Sequence, residues 1–226
     1  MPLSRRLRAI FIHVPKTGGS SIEKALDLYP PDDPGGHKLN TSYLFGSCDR
    51  GHLQHTPYAE LLAQGLIPDE CRDYFKFAFV RNPWDRVVSE FFYAQSYQRH
   101  ADIDFAAFVR DVVPVRSQHD QHYLPQVRFC DGLDFVGRFE RLQQDFDIVC
   151  DRLSIPRKTL PHVRKREHLY YPDYYTAETR EIISRVYKQD IQTYGYEFEA
   201  HRWGRRLERR VSSLARNVVR RLRRAQ

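Results

Sequence analysis

The sequence predicts a three-layer α/β fold with a mainly parallel central sheet, followed by a C-terminal basic amphipathic helix. Three observations carry that prediction. Short runs rich in β-branched and aromatic residues, Ala9 to Val14, Tyr74 to Val80 and Asp134 to Phe139, read as strands, and the first is apolar enough to be buried on both faces. Each run is followed by turn residues and then by apolar residues at helical spacing, the strand, turn, helix order of a parallel sheet. A chain of 226 residues with 41% hydrophobic side chains also suits one domain with a full core, placed at 1–200, with 201–226 as a separate tail.

The elements follow in order. After the first strand, Pro15 ends the run, Gly18 and Gly19 permit a tight turn, and Ile22, Ala25 and Leu26 begin a helix. Tyr29 to Gly51 is rich in Pro, Gly, Asp and Ser, a long surface connection with one short strand near Tyr43 to Gly46. Thr56 caps a helix with Pro57 at its first position and Ala59, Leu62 and Leu66 on its apolar side. Beyond the second strand, Asn82-Pro83-x-Asp85 is a helix start resembling a capping box, and Trp84, Val87, Val88, Phe91 and Phe92 follow on one face. Phe105 to Val112 reads as a further helix, and the polar stretch with His119 and His122 carries no clear pattern. Glu140 to Leu153 is amphipathic, Ile155 to Pro172 is a basic loop, and a single helix from about Ala177 to Tyr194 stops at Gly195.

Charge and cysteine content narrow the function classes. His201 to Gln226 holds ten arginines against one glutamate, so residues 1–200 carry −2 of the net +7 and the basicity is local. Trp203, Leu207, Val211, Leu214, Val218 and Leu222 fall on one stripe of that tail, which predicts an amphipathic helix able to lie on an anionic membrane surface. Docking on the domain or a partner, or nonspecific nucleic-acid binding, are the alternatives; no specific nucleic acid is expected. Cys48, Cys71, Cys130 and Cys150 form no C-x-x-C pair, so metal binding and dithiol redox chemistry are poorly supported. With no signal peptide before the first strand and no apolar run near ~18 residues, the expectation is a cytoplasmic domain held peripherally on a membrane by its tail.

Two of the strand, turn, helix units end in groups suited to phosphate. Lys16-Thr17-Gly18-Gly19-Ser20-Ser21 offers a cation, hydroxyls and the amides of a helix start, which together make an anion site. The same turn also reads as simple geometry, with glycines for the bend and serines as caps. It is not a Walker A loop, which places its lysine after the glycines. Arg81 and Ser89 occupy the second unit, and since ligands collect at the carboxyl ends of parallel strands, one ligand with two separate phosphates would suit both turns.

Four segments in order, HVPKTGGSS at His13 to Ser21, FAFVRNPWDRVVSEFFY at Phe77 to Tyr93, DFVGRFERLQQDF at Asp134 to Phe146 and DIQTYGYEF at Asp190 to Phe198, resemble the sulfotransferase superfamily. The likeness is to its carbohydrate-type branch in particular. It implies a sulfotransferase fold related to P-loop NTPases and 3′-phosphoadenosine 5′-phosphosulfate (PAPS) as donor, without a metal. It further implies that Lys16, Thr17, Gly18, Gly19, Ser20 and Ser21 hold the 5′-phosphosulfate, with Lys16 also on the departing phosphate, and that Arg81 and Ser89 hold the 3′-phosphate. The acceptor is a hydroxyl, expected on a carbohydrate or glycoconjugate.

For the base, His55-Thr-Pro-Tyr-Ala-Glu60 is similar to the family stretch in which a histidine precedes a short helix. Imidazole accepts a proton near neutrality, its ordinary pKa being about 6.5. His52 could orient or replace His55, and His119 or His122 are the next candidates. Asp85 reads as a helix-start carboxylate, Arg86 as a packing or pairing residue, His13 as a core histidine, and Tyr93 as helix packing or a crevice wall. One departure stands out: Val163-Arg164-Lys165-Arg166 replaces the Asn-x-Ser-like element that the resemblance places after Leu160-Pro161-His162. The rival readings are a nucleotide-dependent phosphotransferase, disfavoured by the missing G-K-[ST], and a non-enzymatic binder of anionic surfaces.

Overall fold

The computed structural model describes residues 2–29, 39–48, 51–100, 102–161 and 170–199. The expected basic helix at 201–226 and the Val163 to Arg166 segment lie outside these residues. The central sheet runs β1 (Leu3–Ser4), β2 (Ala9–Ile12), β5 (Phe75–Val80), β6 (Phe135–Arg138) in spatial order. β2 pairs with β5 and β5 with β6 in parallel, while the two-residue β1 is antiparallel at the edge. β3 (Ser47–Cys48) and β4 (Gly51–His52) form a separate small hairpin. The short strand expected near Tyr43 to Gly46 is thus displaced to Ser47, because Leu44 and Phe45 turn inward to bury their side chains.

The pleat sorts the strand residues into two cores. Ala9, Phe11, Phe77 and Phe79 face α1 (Gly19–Leu26) and α6 (Leu142–Arg152), packing on Ile22, Leu26, Phe146 and Val149. Ile10, Ile12 and Ala78 face the other way, toward α2 (Tyr58–Ala63), where Tyr58 and Leu61 cover them. Val80 continues that face into a cluster with Trp84, Val87, Val88 and Phe91 of α3 (Pro83–Ser96). Helices therefore cover both sides of the sheet, giving three layers. Among the described residues, no helix is long and apolar enough to cross a membrane.

Three element boundaries differ from expectation for local reasons. Pro57 stays extended, so α2 begins at Tyr58, and the Thr56 hydroxyl bonds the His52 carbonyl at 3.3 Å instead of capping the helix. The helix from Phe105 passes through α4 (Phe105–Ala107), a π turn over Phe108–Val112, and α5 (Val113–Arg116). Pro114 explains this, since its ring would strike the Arg110 carbonyl of a regular α-helix and the wider turn moves that carbonyl away. The single helix expected up to Tyr194 is two, α7 (Ala177–Val186) and α8 (Lys188–Tyr194), broken at Tyr187. The buried Tyr187 hydroxyl donates to the Tyr123 carbonyl at 2.8 Å, and the break lets Asp190 accept the Gln126 and Val127 amides at 2.9 Å each.

Candidate active site

β2, β5 and β6 all deliver their carboxyl ends to one edge of the sheet, and a cavity of about 400 Å³ opens there. The turn after β2 supplies His13, Lys16, Gly18 and Gly19, and α1 supplies Ser20 and Ser21. β5 and α3 supply Arg81, Ser89 and Tyr93; β6 leads to Phe139 and Leu142; His55 and His122 close the remaining wall. Apart from Thr17, every residue named from the sequence as a site residue lines this cavity. Thr17 is fully buried and donates its hydroxyl to the Val14 carbonyl at 2.8 Å, so its side chain holds the turn from inside.

The turn needs its glycines for two different reasons. Gly18 precedes α1 with φ of 86°, where glycine is favoured, and a Cβ there would meet Leu142 at 2.8 Å. Gly19 has an ordinary backbone but sits on the His13 ring, whose Cε1 would lie 2.7 Å from an added Cβ, with Cδ2 and Nε2 closer still. Lys16 itself takes φ of 69°, a strained value for a residue with a side chain. No side chain caps α1 and its first turn holds no acid, so its amides and dipole favour an anion. Since the Ser21 amide already bonds the Gly18 carbonyl, Gly19 and Ser20 are the amides this start presents.

The second turn is built more rigidly. The Asn82 side chain accepts the Trp84 and Asp85 amides and Pro83 takes the first helical position, so α3 starts as its sequence predicts. Arg81 is buried; its Nε and one terminal nitrogen reach Asp85 Oδ2 at 2.8 Å, and the other reaches the Lys16 carbonyl at 3.2 Å. Two of these contacts are hydrogen bonds and the third is an ion-pair contact, and the guanidinium carbon rests 4.1 Å from the Phe139 ring centre. Gln126 holds the Arg81 backbone on both sides, at 2.8 Å each. Arg86 is a packing residue, donating to the Pro15, Leu124 and His122 carbonyls.

The opposite wall is histidine-rich. His55 Nδ1 lies 2.9 Å from the His13 carbonyl, which can only accept, so the proton sits on Nδ1 and Nε2 keeps its lone pair. Burial, and then the neighbouring His13 and His122, hold His55 well below the ordinary imidazole range, which keeps it neutral near pH 7. His13 packs 4.5 Å from His55 and pairs with buried Glu23 at 2.5 Å. His122 lies 5.2 Å from His55 on the other side and pairs with buried Glu90 at 3.0 Å. Tyr93 stacks on His122 at 5.2 Å and carries the Lys16 Nζ 4.0 Å from its ring centre. His13 is thus more than a core residue and Tyr93 more than helix packing. The third strand's carboxyl end could have flagged Phe139 and Leu142; His122, a fallback candidate for the base in the sequence, does line the cavity, whereas its polar stretch held no pattern that placed it on this wall.

Residues 3–197 match the profile of the "Sulfotransferase family". The chain is 28% identical over 204 residues to carbohydrate sulfotransferase 14 of Mus musculus and 27% identical over 204 residues to that of Homo sapiens, in each case with 75% of this chain and 50% of the relative covered. It therefore spans about half the length of these curated relatives. An uncharacterized protein of Archaeoglobus fulgidus is 28% identical over 86 residues, 38% of this chain and 72% of its own. Among solved structures, a sulfotransferase from Alicyclobacillus acidocaldarius aligns with a TM-score of 0.47 at 18% identity, over 84% of this chain and 94% of that one. With the profile running from the edge strand to three residues past the end of α8, and both phosphate-type turns inside it, this chain belongs to the sulfotransferase family.

Proposed function

We propose that this protein transfers a sulfuryl group from PAPS to an acceptor hydroxyl on a carbohydrate or glycoconjugate. The observation that carries the reading is the single cavity in which a helix start, Lys16, Arg81 with Ser89, and the bare Nε2 of His55 face one another. The amides of Gly19 and Ser20 receive the 5′-phosphate of the donor, and Lys16 neutralises the bridging oxygen as it departs. Arg81, through its remaining N–H groups, and the Ser89 hydroxyl take the 3′-phosphate. The acceptor oxygen attacks sulfur as the bond to the phosphate oxygen breaks, and the hydroxyl proton passes to His55 Nε2. Adenosine 3′,5′-bisphosphate and a sulfate ester leave. Positioning and charge stabilisation of this kind account for most of such a rate enhancement, with the base adding ~10²–10⁴-fold.

The carbohydrate acceptor rests on the names of the relatives, and the donor on the family together with the two phosphate-type turns. Thermal shift with adenosine 3′,5′-bisphosphate against ATP plus magnesium tests the donor. Stabilisation by the bisphosphate alone is expected, and preference for ATP with magnesium would point to a phosphotransferase. Transfer of label from sulfate-labelled donor to a panel of oligosaccharides then tests the acceptor, and label appearing only on non-carbohydrate hydroxyls would refute that part.

A further inference from the structure

Three of the cavity's histidines form a row, and only the middle one lacks a carboxylate. His13 has Glu23 at 2.5 Å and His122 has Glu90 at 3.0 Å, both glutamates being buried, whereas the Nδ1 of His55 meets a main-chain carbonyl. A carboxylate at hydrogen-bond distance stabilises a ring that carries two protons, and a carbonyl stabilises a ring that carries one. We propose that His122 and its partner Glu90 are positioning residues that keep His55 as the proton-free base, because the carboxylate-backed His122 ring is a better place for a second proton than the carbonyl-backed His55 ring. This deepens the reading of His55 as base and rests on it for its catalytic meaning.

The surroundings of His55 agree with that division. From the turn after β2 it is faced by His13, backed by Glu23; from α3 by Tyr93 and Glu90, the latter through His122; from the hairpin by His52, 6.0 Å away. Lys16 shares the same cavity. Among the described residues, the charged neighbours on the cavity side are cations or can become so, and the two acids stand behind the outer rings. A second proton on His55 would add charge where none of the described carboxylates is paired with it. The lowered His55 pKa has both outer histidines among its causes. The stack of Tyr93 on His122, at 18° between planes, fixes the outer ring so that Nδ1 stays on Glu90.

Nitrogen-15 NMR of the histidine rings in the full chain tests this without donor or acceptor. At pH 7 His55 should show Nδ1–H with a bare Nε2. His55 as a doubly protonated ring would overturn the proposal. Glu90→Gln should move the His55 titration upward by about one pH unit, the scale of a unit charge ~5 Å away in a partly screened site. His122→Asn should move it the same way, so that failure of either variant to fold leaves the other. An unmoved His55 titration in a folded variant would also overturn it. Because these readings involve no turnover, a protein that proved inactive toward PAPS would still give a decisive answer on the proton.

Discussion

Replacing Gly19 with alanine should damage this protein more than its small size suggests, because the space above Gly19 is already occupied by a ring that cannot retreat. An alanine Cβ would lie 2.7 Å from His13 Cε1 and closer to two other ring atoms. His13 is stacked on Phe11 at 5.6 Å, abuts His55 at 4.5 Å and is tied to Glu23 at 2.5 Å, so displacing it strains every one of those contacts. Overpacking of this kind costs ~1–3 kcal/mol. Lifting the start of α1 instead would move the anion-facing amides, where a shift of ~1 Å can cost ~10²-fold in rate. We expect a loss of about 2–3 kcal/mol in urea unfolding, or ~4–12 °C in Tm for a chain of this size, and weakened binding of adenosine 3′,5′-bisphosphate. In a His13→Ala background the same substitution should cost under about 1 kcal/mol, since the obstacle is gone. A Gly19→Ala protein with native stability and native ligand affinity, or strict additivity with His13→Ala, would refute the reasoning.

Lys16→Ala should lower turnover by ~10²–10³ while the urea midpoint stays within experimental error, because the side chain meets the cavity and not the core; near-native turnover would remove lysine from the mechanism. Arg81→Ala should weaken adenosine 3′,5′-bisphosphate more than adenosine 5′-phosphate by calorimetry, but also destabilise the fold by ~3–5 kcal/mol because it strands Asp85 and releases the Lys16 carbonyl. Equal weakening of both nucleotides contradicts the 3′-phosphate assignment. His55→Ala should cut turnover with donor affinity preserved, and His52→Ala should do less; the reverse ranking would move the base. His55 stays neutral in the fold below the pH at which the unfolded chain takes up its proton, so the unfolded state binds more protons in that window. Stability should therefore fall as pH drops below about 6.5, and His55→Asn should flatten that part of a urea-midpoint profile; an unchanged slope would show that other groups govern it.

Much of this fold and site was legible because the signals were local. The runs Ala9 to Val14 and Tyr74 to Val80 become β2 and β5, and Asn82-Pro83 caps α3 as written, since strand burial and helix capping depend on residues close in sequence. The rule that ligands gather at strand carboxyl ends places Lys16, Arg81 and Ser89 in one cavity for the same reason. Thr56 misled because a hydroxyl before proline usually caps, whereas here it donates to the His52 carbonyl and accepts from the distant Gln121 at 3.1 Å. The break at Tyr187 and the inward turn of His122 depend on partners 64 and 32 positions away, Tyr123 and Glu90, which no window of neighbouring residues contains. Gly19 looked like a turn glycine, yet its requirement comes from the His13 ring, six residues earlier and just past the end of β2.

The three carbonyls gathered by Arg86 have a further consequence. One belongs to the loop that begins at Pro15, and the other two, of His122 and Leu124, belong to the segment that brings in the outer histidine. Neither segment can open without releasing the same buried guanidinium, so they should exchange their amide hydrogens as one cooperative unit, at one opening free energy. The Lys16 turn and the His122 wall of the cavity then form together or not at all, and a half-assembled cavity has no separate existence in the folded ensemble.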